Sequence, residues 1–423
     1  MRAGRNDRGC GSIPRVVPDA ALGRILPLVG ARSLNTLGRA IITTTVYYEL
    51  FQRTDSTLVL AGIGLVQVIP VVALFVLSGR LVDAYDRRML AFVAAVGTGA
   101  VGIGLAAVSA LGLPVWAYFP LLFAQGCITS VHAPASSSLI PLIIDREDLQ
   151  RANRVGSSLS ELAQIGGPTL AGLALAVFVP SVIYAVVAAT GIASAILYRS
   201  LPKPRSFDAT PGASTARRDW RVGLRFIFKS PLLLPALTLD MFAVLFAGVT
   251  ALLPAIAEHV LHVGPIGYGV LRSAQSVGAI AMALIGGRIR PWERPGRVLL
   301  IVVALFGAAT VGFGLSTSFP LSVGLLVLCG ALDNISVVIR LTLEQMVVPD
   351  AIRGRVSAVH YIFIGMSNEL GGAESGLAAF LIGTVPAVVV GGAVAIVVVP
   401  IVAWKWRALT AMPPLAELVP DDG

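Results

Sequence analysis

Charge is what this sequence has least of. Only 13% of its 423 residues are Asp, Glu, Lys or Arg, against roughly 25% in an ordinary soluble domain. With 56% hydrophobic residues, a water-soluble fold would leave long apolar faces in solvent, so a soluble class is excluded. Cysteine is nearly absent. Cys10, Cys127 and Cys329 are the only three and no CxxC occurs, which excludes a disulfide framework and a zinc ribbon, so neither a metal nor a cofactor is expected. No Walker sequence G-x-x-x-x-G-K-S/T is present, so ATP-driven pumping is not expected. A GxGxxG string, Gly97-Thr98-Gly99-Ala100-Val101-Gly102, lies inside an apolar run rather than at a strand-to-helix turn, so it is no phosphate cradle. No nucleophile–base pair is visible, and an enzyme is not expected. Six arginines fall in the first 32 residues without an apolar stretch ending in a small-residue cleavage site, so a signal peptide is not expected either.

What is present is long apolar runs. A spanning helix needs about 20 mostly apolar residues. Twelve candidates follow: 33–52, 58–78, 89–111, 115–138, 154–178, 181–199, 231–256, 266–287, 297–317, 320–345, 356–382 and 385–405. They divide the chain into an N-terminal arm (1–32), a six-helix bundle (33–198), a central loop (199–230), a second six-helix bundle (231–405) and a tail (406–423). In the central loop, Trp220, Leu224 and Phe228 stand at i, i+4, i+8 and predict the stripe of a short amphipathic helix. With the N-terminus in the cytoplasm, 28 of the 32 Lys and Arg fall on the cytoplasmic side. Arg53 alone lies opposite, and Arg39, Arg272 and Arg340 lie within helices. That split obeys the positive-inside rule, placing both termini inside, and accounts for the net charge of +9 without nucleic acid.

The chain repeats itself at a spacing near 206. Pro114 and Pro320 open equivalent helices, as do Pro180 and Pro386, and Gly167 pairs with Gly372. Gly79-Arg80 and Gly287-Arg288 each end the second helix of a half. Several pairs at one offset indicate two parallel copies of a six-helix unit with a cavity between them.

Six stretches carry a family resemblance. The loop Gly79-Arg80-Leu81-Val82-Asp83-Ala84-Tyr85-Asp86-Arg87-Arg88 resembles the major facilitator signature G-x-x-x-D-R/K-x-G-R/K-R/K, with Ala84 and Asp86 as departures. Gly79, Asp83, Arg87 and Arg88 are its candidate gating residues. Ala163 to Gly172 is similar to the exporter-associated signature g-x-x-x-G-P-x-x-G-G, carried by Gly167, Pro168 and Gly172. Its alternative is ordinary small-residue helix packing. In the C-terminal half, Gly267 to Leu271, Ser336 to Arg340, Arg353 to Val359 and Gly365 to Gly371 resemble the enterobactin-exporter-like, or transmembrane secretion effector, branch of the major facilitator superfamily. The resemblance implies an all-α integral membrane fold of twelve transmembrane helices in two pseudo-symmetric bundles. It also implies a monomer in the cytoplasmic membrane that exports a small molecule, a siderophore or a drug-like amphiphile, by proton antiport. An importer on the same fold stays open. The fourth helix lacks the coupling arginine many members carry: Phe119 to Leu139 holds none.

A charge at mid-helix costs roughly 2.5–3.5 kcal/mol even on the mild insertion scale, so each such residue should face a partner or the cavity. Arg39, Glu161, Asp240, Arg272, Asp333, Arg340, Glu344, Glu369 and Glu374 meet this description. The candidates for proton coupling or substrate binding are Arg39, Asp240, Asp333, Arg340 and Glu369. Asp333, Arg340 and Glu344 share one stripe of the tenth helix, where Arg340 and Glu344 can pair and leave Asp333 in need of a partner or a proton. A structural ion-pair stripe is the alternative. Arg39 can attract an anion or neutralise Asp240 or Glu161. Glu49 is expected to reach water from the outer end of its helix, and His132 and His360 to have polar-face roles.

Overall fold

The computed structural model describes residues 19–74, 81, 82, 84–145, 148–202, 220–286, 292–349 and 352–418. No strand occurs among them. The helices are α1 (Asp19–Thr54), α2 (Thr57–Ala73), α3 (Arg87–Ala110), α4 (Tyr118–Ile143), α5 (Leu149–Val177), α6 (Pro180–Ser200) and α7 (Trp220–Lys229). The chain continues with α8 (Leu233–Ala247), α9 (Leu253–His259), α10 (Gly264–Gly286) and α11 (Pro295–Leu315). It ends with α12 (Phe319–Val347), α13 (Arg353–Ile382), α14 (Thr384–Lys405) and α15 (Arg407–Thr410). Seven stretches among the described residues are long and apolar enough to cross a membrane: α3, α6, Leu233–His259, α10, α11, α12 and α14. The apolar α2 is shorter.

Helices α1–α6 pack mainly on one another, and so do α8–α14. Within each set the walls touch through small residues. A Cβ on Gly191 of α6 would lie 2.6 Å from the Gly99 nitrogen of α3, and one on Gly102 would lie 2.8 Å from the Ala188 nitrogen. The GxGxxG string is therefore a helix-packing face, where the absence of side chains lets two backbones close up. Prolines set several boundaries. Pro180 occupies the first turn of α6 and Pro320 that of α12, where a missing N–H costs nothing.

Four expectations need correction. The first helix begins at Asp19, not near residue 33, because Ile25, Leu28, Val29 and Ala31 are buried in the core formed with α3, α4 and α6. The expected span 231–256 is present as Leu233–His259 but is not one continuous α-helix: α8 ends at Ala247, a 3-10 turn covers Val249–Leu252, and α9 follows. Pro254 lacks the N–H and its ring excludes the carbonyl four residues earlier, which stops a continuous α-helix there. The α7 stripe is shifted. Gly223, Ile227 and Ser230 face the protein, while Phe228 is 57% exposed. The Cβ that Gly223 lacks would sit 2.6 Å from the Arg355 carbonyl oxygen of α13.

Glu49 is the fourth correction. It is 4% exposed, not at the water. Tyr118 and Ser109 hydroxyls donate to its Oε1 at 2.8 and 2.7 Å, Tyr184 donates to Oε2 at 2.7 Å, and Arg53 pairs with it at 2.7 Å. Four helices thereby converge on one carboxylate, which satisfies a charge that neither lipid nor water reaches.

The two sets meet at the end of the molecule that carries Thr54, Val177 and Ile382, called here the distal end. The opposite end carries Arg87, Arg199, Arg297, Arg353 and Lys405 and is the basic end. At the distal end α5 crosses α10, where a Cβ on Gly172 would stand 2.5 Å from the Gly269 Cα. Equivalently, α2 crosses α13, where a Cβ on Gly64 would stand 2.7 Å from the Glu369 carbonyl oxygen, and one on Gly376 2.6 Å from the Ala61 nitrogen. The two crossings use the same device in the two halves, as the sequence repeat implies. Overpacking costs about 1–3 kcal/mol. Gly172→Leu is therefore expected to part α5 from α10. A cysteine replacing Ser273 in that variant, with native cysteines removed, should react about tenfold faster with a water-soluble maleimide than in the parent. Unchanged reactivity contradicts the crossing.

Candidate functional site

Polar side chains at membrane depth mark where lipid is absent. On α1, Arg32, Thr36, Arg39 and Thr43 follow the i, i+4, i+7, i+11 spacing of one helix face. Thr36 and Thr43 donate to the carbonyls of Arg32 and Arg39 at 3.1 and 3.0 Å. On α5, Ser157, Glu161 and Gln164 form an exposed polar stripe, and Asp333 of α12 and Asn368 of α13 are exposed too. The space between the two helix sets is thus a polar cleft, closed at the distal end by the glycine crossings.

The closure is reinforced by side chains across the sets. Tyr48 of α1 donates to Glu258 of α9 at 2.5 Å and stacks on Tyr268 of α10, with ring centroids 5.3 Å apart. Tyr268 in turn donates to the Thr44 carbonyl at 3.1 Å. The Thr169 and Ser273 hydroxyls meet at 2.6 Å between α5 and α10, and Asp55 pairs with His259 at 3.0 Å. This latch was not visible in the sequence, because its partners lie 104 to 224 residues apart; Thr169 and Tyr268 fall in the signature stretches, but a motif does not say which helix it meets.

Two charge clusters face the cleft. The first lies within the second helix set. Arg340 of α12 pairs with Asp240 of α8, and both are buried, at 3% and 7% exposure. Arg340 Nε also donates to the Ser336 carbonyl at 3.3 Å. Asp333 stands within the field of both Asp240 and Arg340. The expected Arg340–Glu344 pair does not form. Glu344 instead accepts from Ser357 and lies 2.5 Å from His360 Nδ1, both on α13. Helix spacing put Arg340 and Glu344 on one stripe, but α8 and α13 flank that stripe and offer each a partner across the interface. The first cluster therefore sets two carboxylates against one guanidinium, with the His360 ring also acting on Asp240.

The second cluster joins the two sets. Glu369 of α13 lies in the fields of Arg39 of α1 and Arg272 of α10, and both Glu369 and Arg272 act on the Tyr47 hydroxyl. Arg39 thus faces Glu369 rather than Asp240 or Glu161, its expected partners. This cluster sets two guanidinium groups against one carboxylate. Arg272 was legible as a membrane charge but not as a site residue, since nothing in the sequence shows which helices share the cleft.

The loop motif has a local structural role. Gly79 and Asp83 lie outside the described residues. Asp86 caps α3, accepting from the Arg88 N–H at 2.8 Å. Arg87 donates to the Val82 carbonyl at 3.4 Å, and Arg88 donates to the Tyr198 and Arg199 carbonyls at 3.1 and 2.5 Å. Arg88 therefore ties α3 to the C-terminal end of α6, the end where a cation is favoured. His132 contacts the Tyr198 hydroxyl at 3.1 Å on the same side. Of the α5 signature, Gly167 packs on α1, where a Cβ would meet Ala40 at 2.6 Å, while Gly172 makes the distal crossing.

Residues 28–372 match the Major Facilitator Superfamily. The chain belongs to the major facilitator superfamily. Among curated proteins it is similar to the enterobactin exporter EntS of Citrobacter koseri, at 28% identity over 339 residues covering 78% of this chain and 79% of the relative. EntS of Escherichia coli O1:K1 is 28% identical over 340 residues with the same coverage. Among solved structures, a bacterial homologue of the human lysosomal transporter Spinster, in an inward-facing unoccupied conformation, superposes with a TM-score of 0.71 at 15% identity, covering 95% of this chain and 98% of that one. The D-xylose–proton symporter gives 0.70 at 13% identity, covering 90% and 97%. The fold is that of superfamily transporters, and the chain is a multi-pass membrane transporter rather than an enzyme.

The charge count of the first cluster has a direct consequence. Arg340→Gln leaves Asp240 and Asp333 facing each other without a cation, and breaking a buried pair costs about 3–5 kcal/mol. Thermal unfolding in detergent should show that loss. Asp240→Asn added to Arg340→Gln should recover most of it, and Asp333→Asn part of it. No recovery in either double variant contradicts the cluster.

Proposed function

We propose that this transporter exports a small molecule, a siderophore or a drug-like amphiphile, from the cytoplasm in exchange for protons. The observation that carries the reading is the polar cleft, closed by a latch at one end and lined by two clusters, one with two carboxylates to one guanidinium and one with the reverse. The basic end is taken as cytoplasmic by the positive-inside rule. The cleft then opens to the cytoplasm, the state from which an exporter loads. The similarity to EntS over most of the chain supports export and names enterobactin as the first substrate to try. Twelve spans in two bundles, the first from α1 to α6 and the second from α8 to α14, give the two bodies that rock about the cleft.

The cycle has an electrostatic logic. Asp240 and Asp333 share one guanidinium, Arg340, and a proton can neutralise the second carboxylate. Asp333, exposed to the cleft, is the carboxylate that exchanges protons with water, and Arg340 holds Asp240 as its fixed counterion. Loading from the cytoplasm, opening of the Tyr48–Tyr268–Glu258 latch, release, and reset with a proton on Asp333 complete the exchange. The crossing at Gly172 beside Pro168 is the seal about which α5 and α10 separate, and Arg87 and Arg88 fix the basic-end frame of the first bundle. A membrane potential of 100 mV supplies about 2.3 kcal/mol for each charge moved.

Enterobactin uptake into inside-out vesicles, with and without an imposed pH gradient, tests this. Gradient-driven accumulation is expected, and Asp333→Asn should reduce it to the level seen without a gradient. Uptake indifferent to the gradient, or movement only in the opposite sense, leaves a facilitator or an importer.

A further inference from the structure

We infer that the exposed face of α7 docks on anionic phospholipid headgroups of the bilayer leaflet at the basic end. This goes beyond the proposed function and depends on neither cargo, direction nor protons. From Arg217 to Lys229 the sequence carries five cations and one acid, Asp219. Within α7, Arg221, Arg225 and Lys229 stand at i, i+4, i+8 and all three are exposed, with Phe228 beside them at 57% exposure. At about 100° per residue, these four side chains share roughly 100° of arc. Gly223 and Ile227 occupy the opposite face and are buried. Among the described residues neither Arg225 nor Lys229 pairs with an acid. A stripe of cations with a large apolar ring in it suits a boundary where headgroups carry negative charge and acyl chains begin.

The packing of α7 puts this face at the level of that boundary. The Cβ that Gly223 lacks would lie 2.6 Å from the carbonyl oxygen of Arg355, in the first turn of α13. Lys229 ends α7, and Leu233 opens α8 and with it an apolar stretch long enough to cross a membrane. The helix therefore lies beside the basic-end starts of α8 and α13. Tryptophan and lysine, which collect at membrane–water boundaries, mark the same end of the second helix set. Trp404 of α14 is 77% exposed, and the Lys405 ammonium stands 4.5 Å from the centroid of the Trp406 ring. Ser230 Oγ accepts from the Leu233 N–H at 3.2 Å, which fixes the turn from α7 into α8. Held by Gly223 against α13 and by this turn against α8, the cationic stripe is ordered before a lipid arrives, so docking costs little further ordering. Topology accounts for cations at this end, but not for their alignment on one helix face around an exposed phenylalanine.

Phosphatidylglycerol and phosphatidylcholine, titrated into the full chain in neutral detergent and counted by native mass spectrometry, test the docking. Phosphatidylglycerol is expected to bind roughly tenfold tighter or better. Arg225→Gln and Lys229→Gln should each weaken it about fivefold, the share of one cation near an anionic surface, and the double variant more. Arg297→Gln removes an exposed cation elsewhere at the basic end and should change the affinity by less than about twofold. Phe228→Ala should weaken both lipids alike, and inorganic phosphate, which has no acyl chain, should not compete. In nanodiscs, adding phosphatidylglycerol to phosphatidylcholine should raise the thermal midpoint of the parent and leave that of the double variant unmoved. Equal affinity for the two lipids, unchanged binding in the α7 variants, a loss in Arg297→Gln as large as in Lys229→Gln, or displacement by inorganic phosphate overturns the inference.

Discussion

A charge cannot be left alone in hydrocarbon, and most of this structure is arranged around that constraint. At the distal end, Glu49 is wrapped by Tyr118, Tyr184, Ser109 and Arg53, so four helices are tied to one satisfied carboxylate. Within the second helix set, Asp240 takes Arg340, and Glu344 takes His360 and Ser357. What remains unbalanced faces the cleft: Asp333 on one side, and the Arg39–Glu369–Arg272 cluster where the sets meet. The distinction between buried structure and working site is thus drawn by electrostatics. Charges balanced within a helix set hold it rigid, and charges balanced only across the cleft are free to respond to cargo and protons.

The second constraint is how closely two helix sets must approach to close one end while staying open at the other. Side chains would keep the helices apart, so the crossings are made of glycine: Gly172 on Gly269, and Gly64 on the backbone around Gly372. Bare backbone contact gives a seal that can part without repacking a core. The tyrosine latch adds directional bonds that a modest shift of α1 against α9 and α10 breaks. Such an arrangement suits a gate whose two states differ by only a few kcal/mol.

Much of the fold was legible in the sequence. Apolar runs, Pro180 and Pro320 at helix starts, and the one-sided cations follow from local chemistry and needed no tertiary information. The motif around Gly167, Pro168 and Gly172 was legible as a small-residue face, but its partner helix was not. Errors arose where a neighbour decides. The start of α1 at Asp19 depends on packing against α3, α4 and α6, and the pairing of Arg340 with Asp240 rather than Glu344 depends on α8. Arg272 was visible as a charge, yet its role needed Arg39 and Glu369 to be brought opposite it from other helices. Spacing along one helix tells which side chains share a face, and it is silent on what that face meets.

The rocking of two helix sets about a closed distal end is tested most directly by distances. Spin labels at Leu111 and Leu315 report the distal ends of α3 and α11, and labels at Met89 and Arg297 report their basic ends; all four positions are exposed. In nanodiscs without substrate, the distal pair should show the short distance and the basic pair the long one. Addition of a transported substrate should populate a second state in which the distal pair lengthens as the basic pair shortens. Distances that stay fixed in both pairs, or that lengthen together, would contradict two bodies moving about a central cleft.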